Sequence, residues 1–463
     1  MGKKTSDEEL TGFVKRYSNL VQRMLEITDP TGQTAGAALR AHLGDDAVRR
    51  PVVSENFSPW DHVNVQRALD AMQSNATFAA TWEGIVGDHR YSDLNLGILL
   101  GGGRYLNDQV GPLMYRNQPT SVDEYQACIS LGFATATYRG EPIGILLRLG
   151  DQHSSLSGQL RLEVASTNRE TGEAFLQEIR TLTNELNIYR GQMMTFSVCD
   201  DGSLKIEFMR REAVVRSDIV LPPGVMESIE RQVLGVAEHR DELRRLGQHL
   251  KRGVLLHGAP GSGKTLSIRY LASRMSDTTV IVLTGKSLAA IQPSCQMARL
   301  LAPSLVVIED VDLVANERHQ PGMETNPLLF TLLNEMDGVA GDADVTFVLT
   351  TNRPDILEPA LAQRPGRIDL AVEVPLPNAK CRRALLRRYG APVGLKFASS
   401  KDIVARTEGV SASFVKELVR KATLSALIEG ESVSEAHVDQ ALDDLLTASA
   451  SLTRSLLGAA PSK

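Results

Sequence analysis

The stretch that decides the fold of this chain reads Gly258-Ala259-Pro260-Gly261-Ser262-Gly263-Lys264-Thr265. Two glycines separated by four residues and followed by Lys and Thr match the pattern of a phosphate-binding loop. Residues 253–257 form a short apolar run typical of a buried strand, and residues 266–275 can continue as a helix because they contain no Pro or Gly. Strand, loop and helix in this order are the context that the motif requires, so the sequence predicts a loop that binds a nucleoside triphosphate.

The chemistry of this loop gives each part of it a role. Glycines let the backbone curl so that several N–H groups point at a polyphosphate, and the helix N-terminus adds the positive end of its dipole. We expect Lys264 to reach the β- and γ-phosphates of the nucleotide and the Thr265 hydroxyl to complete a Mg²⁺ shell. The alternative is a glycine-rich turn with an incidental lysine. The residues expected to contact the nucleotide are Gly258, Ala259, Pro260, Gly261, Ser262, Gly263, Lys264, Thr265 and Leu266.

The composition restricts the class of protein. A length of 463 residues indicates about three domains, and a hydrophobic share of 42 % suffices for ordinary cores. No apolar run reaches the roughly 18 residues that cross a bilayer, and the polar start of the chain lacks a signal-peptide pattern. The net charge of −6 argues against a protein built to hold nucleic acid. Free thiols in a reducing cytoplasm are expected because no metal-ligand spacing links Cys128, Cys199, Cys295 and Cys381.

The N-terminal part of the chain, residues 1–75, is predicted to be a helical module. Ser6 and Glu9 form a capping-box pattern before apolar residues at helical spacing. The apolar stripes are expected to pack on one another, and the alternative is that the first helix binds a partner. The predicted helices cover residues 6–27, 35–43 and 61–72.

Residues 76–210 are predicted to form an α+β domain that recognises a partner, because they contain no recognisable catalytic constellation. Strand-rich runs at 128–138 and 143–149 flank Arg139-Gly140-Glu141-Pro142, which predicts a hairpin. Further strands are expected at residues 160–165, 192–198 and 205–209, with a helix at 173–186. Residues 210–223 contain two prolines and mixed charges, which indicates a linker.

The following region, residues 211–376, is predicted to be a large α/β subdomain built around the phosphate-binding loop. Buried strands are expected at 279–283, 305–308 and 345–350. The second of these ends in Glu309 and Asp310, and an apolar strand that ends in acids places one carboxylate near Mg²⁺ and another near the attacking water. Parallel strands present their chemistry at their C-terminal ends, so these acids are expected to lie near the phosphates.

Several ordered motifs after this strand resemble the second region of homology of the AAA family of ATPases, which includes Cdc48-like unfoldases, proteasomal ATPases and FtsH-type proteases. The resemblance covers roughly residues 218–447. The motifs are Asn334-Glu335-Met336-Asp337-Gly338, Thr350-Thr351-Asn352-Arg353-Pro354-Asp355 and Pro359-Ala360-Leu361-Ala362-Gln363-Arg364-Pro365-Gly366-Arg367-Ile368-Asp369.

This resemblance implies a P-loop α/β core, a helical lid at residues 377–447 and a homo-oligomeric ring of six subunits. It also implies that Asn352 holds the attacking water or the γ-phosphate. Arg364 and Arg367 look like arginine fingers that reach the nucleotide of a neighbouring subunit, since a guanidinium donated in trans stabilises charge on the transferred phosphoryl group. The alternative is a pair of surface arginines after a proline-rich turn. Residues 448–463 are expected to be a flexible tail.

Two features depart from the family pattern. The family has Asp before Glu at the end of the acidic strand, whereas this chain has Glu309 before Asp310, so Glu309 is expected to support Mg²⁺ and Asp310 to act as the base. The family's pore loop carries an aromatic residue, whereas residues 287–294 contain none, and Ile291 is the nearest apolar candidate. The order of the acids predicts slower hydrolysis, and the missing aromatic residue argues against threading of a polypeptide.

The sequence therefore leads to an AAA-type ATPase that remodels or disassembles a protein partner bound through its N-terminal region. One alternative is a nucleotide-gated assembly or scaffold protein with slow or no hydrolysis. A DNA-acting ATPase is a third hypothesis, which rests on fold-level kinship alone and is opposed by the acidic charge.

Overall fold

A computed structural model of the chain describes residues 34–86, 94–101, 108–150, 158–199, 204–312, 327–338, 343–355, 367–395 and 401–446, together with Arg16. The predicted helix at residues 6–27 and the predicted tail at 448–463 lie outside this part of the chain. Contacts divide the chain into two compact units, Met1–Ile188 and Tyr189–Lys463.

The first unit is built on an antiparallel sheet with the strand order β1-β7-β6-β5-β2-β3, in which β4 also pairs with β5. The predicted hairpin at 139–142 joins β5 to β6, and Arg139 and Gly140 at its tip both have positive φ. The strands are β1 Val52–Phe57, β2 Phe78–Val86, β3 Gln109–Gly111, β4 Met114–Pro119, β5 Tyr125–Tyr138, β6 Glu141–Leu149 and β7 Leu160–Ala165. The helices are α1 Ala35–Leu43, α2 His62–Gln73, α3 Leu96–Gly101 and α4 Arg169–Glu185.

Helices cover both faces of this sheet because its strands are apolar on both sides. Along β6, Ile145 and Leu147 face the cluster that contains α2 and α4, whereas Leu146 between them faces α1 and α3. Period-two alternation in a strand sends neighbouring residues to opposite faces, so each face needs its own cover. The predicted helices at 35–43 and 61–72 are therefore layers of the sheet domain, and the expectation of a separate helical module at residues 1–75 is wrong for them.

The second unit contains a seven-stranded sheet with the order β14-β10-β13-β12-β11-β8-β9. All neighbouring pairs are parallel except the β8–β9 hairpin. Strands β11, β12 and β13 are buried along their whole length, as expected when helices cover both faces of a parallel sheet. The strands are β8 Met193–Val198, β9 Leu204–Phe208, β10 Arg252–His257, β11 Thr279–Leu283, β12 Ser304–Ile308, β13 Val345–Thr351 and β14 Leu370–Glu373.

The helices of the second unit include those predicted for the lid. Apolar residues from several of them, among them Leu385, Phe414 and Leu442, form a separate core cluster. The helices are α5 Val225–Glu230, α6 Val236–Glu238, α7 Arg240–Arg245, α8 Lys264–Arg274, α9 Ile291–Leu300, α10 Pro327–Asp337, α11 Ala379–Gly390, α12 Lys401–Arg406, α13 Ala412–Glu429 and α14 Glu435–Leu446. A π-helical turn, Arg231–Gly235, joins α5 to α6.

The boundary between the units differs from the one that the sequence predicted at residues 210 and 211. Strand β8 pairs in parallel with β11, and the backbone N–H of Val280 donates to the carbonyl of Gln192 at 2.8 Å. The β8–β9 hairpin therefore belongs to the ATPase sheet rather than to the α+β domain. Sequence patterns show that a segment is a strand, but they do not show which sheet edge it joins, because either edge satisfies the same backbone groups.

Candidate active site

The phosphate-binding loop connects the end of β10 to the start of α8, as the motif predicts. Its shape requires glycine at two positions with positive φ, Gly258 at 144° and Gly261 at 73°. A Cβ atom at Gly258 would lie 2.3 Å from the carbonyl oxygen of Val374, and one at Gly261 would lie 2.6 Å from Ser413 Oγ. Larger residues are therefore excluded by both conformation and space.

Lys264 is buried and its ammonium group is held at three points. Nζ donates to the carbonyl oxygens of Gly258 and Ala259 at 2.8 and 3.1 Å, and to Asn352 Oδ1 at 2.8 Å. Burial lowers the pKa of Lys264, and the nearby carboxylates of Asp310, Asp312 and Glu309 oppose this shift. The ammonium group is thus positioned between the loop and the acidic strand ends.

The acidic end of β12 lies beside the end of β13. Glu309 donates its backbone N–H to the carbonyl of Leu283 at 3.0 Å, which continues the pairing of β12 with β11. Asp310 departs from the strand with φ of 51°, and its Oδ1 accepts a hydrogen bond from Asn352 Nδ2 at 3.2 Å. Lys264, Asn352 and Asp310, which are far apart in sequence, therefore form one hydrogen-bonded chain.

Asp312 is a site residue that the sequence analysis did not select. Its side chain is 7 % exposed, and Oδ1 accepts from the Thr351 hydroxyl at 2.8 Å and from the backbone N–H of Asn352 at 3.2 Å. The carboxylate therefore fixes the backbone that carries Asn352. The available signal was the acid two positions after Asp310, but only the pairing of β12 with β13 shows which partner it meets.

The loop fits a polyphosphate and a divalent cation. Ser262 Oγ is buried and has no hydrogen-bond partner among the residues that the structure describes. Thr265 lies exposed in the first turn of α8, and Glu309 is partly exposed at the end of β12, so a hydroxyl and a carboxylate are available as Mg²⁺ ligands. These oxygen donors are the kind that Mg²⁺ prefers.

Two further segments reach the loop. Ser413, at the start of α13 in the lid, donates its backbone N–H to the carbonyl of Gly261 at 3.2 Å. Leu221 belongs to the region predicted as a linker, and its Cδ2 lies 3.8 Å from the Cβ position of Gly263. The adjacent Val220 packs on the lid core, so this segment contacts both subdomains beside the loop.

The structure describes one of the two predicted arginine fingers. Arg364 lies outside the described residues. Arg367 is 4 % exposed, and its Nε donates to Asp337 Oδ1 at 2.7 Å while Nη2 contacts Asp337 Oδ2. Its backbone carbonyl abuts Gly253 at the start of β10, whereas the loop follows the other end of that strand. A strand of this length spans roughly 16 Å, so Arg367 cannot reach the loop of its own subunit.

The segment predicted to line a pore is helical and packed. Residues Gly285–Ala290 form a 3₁₀ helix, and α9 follows directly. Ile291 is 1 % exposed and Leu288 is 4 % exposed. Ile291, the nearest apolar candidate for a pore residue, is therefore not available to grip a polypeptide, because its side chain is buried in the core of its own subunit.

Part of this chain matches a known protein family and several known proteins. Residues 254–376 match the family model described as "ATPase family associated with various cellular activities (AAA)". The proteasome-activating nucleotidase of Thermococcus onnurineus is 31 % identical over 240 residues, which cover 49 % of this chain and 60 % of the relative. The ATPase family gene 2 protein of Schizosaccharomyces pombe is 27 % identical over 380 residues, 74 % of this chain and 46 % of the relative.

A third relative is the ATP-dependent zinc metalloprotease FtsH of Akkermansia muciniphila, which is 33 % identical over 237 residues, 48 % of this chain and 29 % of the relative. The chain thus spans 60 % or less of the length of these three relatives. Within the described ranges, no helix has both the length and the apolar character needed to cross a membrane.

The family match begins in β10 and ends just after β14, so it contains the loop, the acidic strand end and Asn352. The parallel sheet with the loop at the end of β10 is a P-loop NTPase fold. The part of the chain that holds this site is therefore an AAA ATPase domain.

Proposed function

We propose that this protein hydrolyses ATP with Mg²⁺ and uses the energy to remodel or disassemble a protein partner. The partner binds through the N-terminal unit, and the working form is a homo-oligomeric ring of six subunits in the cytoplasm. The relatives named as proteasome-activating nucleotidases support a machine that acts on proteins, and the acidic composition argues against a nucleic-acid substrate.

The observation that carries this proposal is the hydrogen-bonded chain from Lys264 through Asn352 to Asp310. Asp310 and Asn352 follow the C-terminal ends of β12 and β13, and Lys264 begins the helix after the loop that follows β10, so all three lie at the edge where a parallel sheet places its ligands. Phosphoryl transfer depends on positioning and on electrostatic stabilisation, and this chain links a cation, an amide and a carboxylate in one fixed arrangement.

Each group has a proposed task. The loop amides and Lys264 bind the phosphates, and Asp310 accepts a proton from the attacking water, which Asn352 orients. Thr265 and Glu309 hold the Mg²⁺, which when bound neutralises charge on the β- and γ-phosphates. Arg364 of a neighbouring subunit stabilises the charge that develops on the transferred group.

Steady-state phosphate release tests the enzymatic claim. Lys264→Ala removes the cation that the loop surrounds, and Asp310→Asn removes the base, so each variant is expected to lose roughly 100-fold or more in rate. Lys205→Ala is the matched control, because Lys205 is exposed on β9 and far from the loop in the sheet order. Wild-type protein that releases phosphate no faster than Lys264→Ala contradicts the proposal.

Light scattering with and without ATP separates the proposal from the scaffold alternative. A mass increase on ATP addition together with turnover supports a working ring, whereas the same increase with negligible turnover favours a nucleotide-gated scaffold. The partner is tested with Asp310→Asn, which is expected to retain ATP and therefore to hold its partner during affinity capture. Protein that is captured equally well by Asp310→Asn and by Lys264→Ala would not be an ATP-dependent partner.

A further inference from the structure

The backbone at Asp310 adopts a conformation that its surroundings must maintain. Its φ of 51° is one of two positive values at non-glycine residues among those that the structure describes, and the other is at Arg139. Arg139 stands at the tip of the β5–β6 hairpin, where tight turns favour positive φ. Asp310 instead follows a buried parallel strand. For residues other than glycine, this left-handed backbone conformation is energetically disfavoured.

Thr350 supplies the contact that holds this conformation. Its hydroxyl oxygen accepts the backbone N–H of Asp310 at 2.9 Å, and the residue is 2 % exposed in β13. Strands β12 and β13 pair directly, with Ile308 opposite Leu349. The strand pairing therefore ends two residues before Asp310, and a side-chain hydroxyl takes over as acceptor at the point where the chain turns.

The turn has a consequence for the carboxylate. Asp310 Oδ1 accepts from Asn352 Nδ2, and Asn352 Oδ1 accepts from Lys264 Nζ. An Asp side chain is shorter than a Glu side chain by one C–C bond, roughly 1.5 Å. The turn that bonds the Asp310 backbone to Thr350 of β13 offsets this shorter reach. The carboxylate can therefore still accept the hydrogen bond from Asn352.

We propose that Thr350 is a positioning residue for hydrolysis, which holds Asp310 in the left-handed conformation that lets a short carboxylate serve as the base. This inference rests on the proposed function, because it concerns the rate of the same reaction. It also gives a physical reason why the Glu309-Asp310 order is compatible with an active site.

The chain contains a matched control on the same strand. Thr346 lies four residues before Thr350, on the same face of β13, and is 0 % exposed. Its hydroxyl has no hydrogen-bond partner within the described part of the chain. Replacing either threonine by valine preserves shape and β-branching, but only the change at Thr350 removes an acceptor from Asp310.

The experiment compares steady-state kinetics, binding of a non-hydrolysable ATP analogue and thermal unfolding for a small set of variants. Thr350→Val is expected to lower kcat by about 10- to 100-fold, because a displacement near 1 Å has this effect in a positioned reaction. KM and analogue affinity are expected to stay within about threefold of wild type, since the loop is untouched. Thr350→Ser restores the hydroxyl and should restore most of kcat, and Thr346→Val should leave kcat unchanged.

Asp310→Glu gives a second test that does not depend on how well Thr350→Val folds. A backbone set for the shorter side chain misplaces the longer one, so Asp310→Glu is expected to be slower than wild type despite its unchanged charge. In the Asp310→Asn background, Thr350→Val should produce no further loss, because the group that it positions is already absent.

The outcomes distinguish the two claims. If wild type hydrolyses ATP faster than Lys264→Ala but Thr350→Val has the wild-type kcat, the inference is overturned and the proposed function stands. A similar loss of kcat in Thr346→Val, or an Asp310→Glu variant as fast as wild type, also overturns it. If wild type is no faster than Lys264→Ala, the proposed function fails and this inference fails with it.

Discussion

Arg367 has the position of an arginine finger in the sequence but is engaged within its own subunit. Its guanidinium is buried and bonded through Nε and Nη2 to the carboxylate of Asp337 at the end of α10. Asp369, two residues later, accepts the backbone N–H of Gly253 at 2.8 Å and so fixes the same segment to β10. These contacts make Arg367 a link between α10 and β10 within its own subunit.

The pairing of Arg367 with Asp337 predicts a measurable contribution to stability. Asp337→Asn leaves a buried guanidinium without its counter-charge, so the free energy of unfolding in urea should fall by about 1–3 kcal/mol. Asp355→Asn is the control, because the Arg353–Asp355 pair is exposed on both sides and its loss should change the free energy of unfolding much less. Equal losses in the free energy of unfolding would contradict this prediction, because the buried pair would then contribute no more than the exposed one.

At the scale of elements, the region predicted as a linker is a strap along α8, here defined as residues 211–214. Arg211 donates to the carbonyl oxygens of Ala272, Met275 and Thr278 at 2.5, 2.6 and 2.9 Å, at the C-terminal end of the helix. It also donates to Gly191, just before β8, at 3.1 Å. Burial lowers the pKa of Arg211. The strap therefore connects the helix that starts with Lys264 to the hairpin into which the N-terminal unit leads.

Removal of this connection is expected to destabilise the ATPase unit. Arg211→Met removes the side-chain donor from four carbonyl groups, and we expect a loss of about 1–3 kcal/mol in the free energy of unfolding. Arg211→Lys should fall between wild type and Arg211→Met, because an ammonium has fewer donors and no planar fork. Thermal unfolding with and without an ATP analogue measures this, since the analogue identifies the transition of the ATPase unit.

Arg269→Met is the control. Arg269 lies on the exposed side of α8 and pairs with Glu212 of the strap at 3.0 Å. An exposed pair contributes little, so this variant should stay within about 1 kcal/mol of wild type. A loss as large as that of Arg211→Met would mean that removing any arginine that joins the strap to α8 has the same effect and that the carbonyl contacts of Arg211 contribute nothing special.

At the scale of the whole molecule, the proposed ring implies that each site is completed by a neighbour. Arg367 cannot reach its own loop, and its segment continues directly from the one that contains Arg364. Closed homo-oligomers use one interface repeatedly, so a residue donated by one subunit is missing from every site when it is mutated. Mixed rings can therefore show whether the arginine acts in trans.

Two variants that are each inactive should regain activity when they are mixed. Arg364→Ala subunits keep their own base, and Asp310→Asn subunits keep their arginine. In rings mixed in equal amounts, about one interface in four combines an intact base with an intact arginine, so about a quarter of the wild-type rate per site is expected. Phosphate release from mixtures assembled in ATP measures this. Mixtures no more active than the separate variants would place the action of Arg364 within its own subunit.

Much of the second unit could be predicted from the sequence, because its loop motif, buried strands and helices are recognised from short stretches of residues. The strand at 279–283, the helix at the phosphate loop and the lid helices are observed within a few residues of their predicted positions. A phosphate loop needs a glycine pattern that few other structures require, and a fully buried strand is largely apolar. The same locality explains the predicted hairpin at 139–142, where the turn residues set the geometry.

The features that the sequence could not show depend on contacts between distant segments. No local pattern in residues 193–208 distinguishes a strand of the first sheet from an added strand beside β11. The apolar character of Ile291 suits a pore and a core equally, and only the packing of α9 shows that the side chain is buried. Arg367 and Asp337 lie 30 residues apart, so their pairing was also invisible in the sequence.

By itself, the sequence determined the phosphate-loop motif, the resemblance to AAA ATPases and the identity of the acids, because these follow from residue type and short spacing. Only the tertiary structure decided how the acids are used. The pairing of β12 with β13 brings Thr350 to the backbone of Asp310 and Asp312 to that of Asn352. A hydrogen bond forms over about 3 Å whatever the separation in sequence, so the geometry of Asp310 could be known only once the strands were placed side by side.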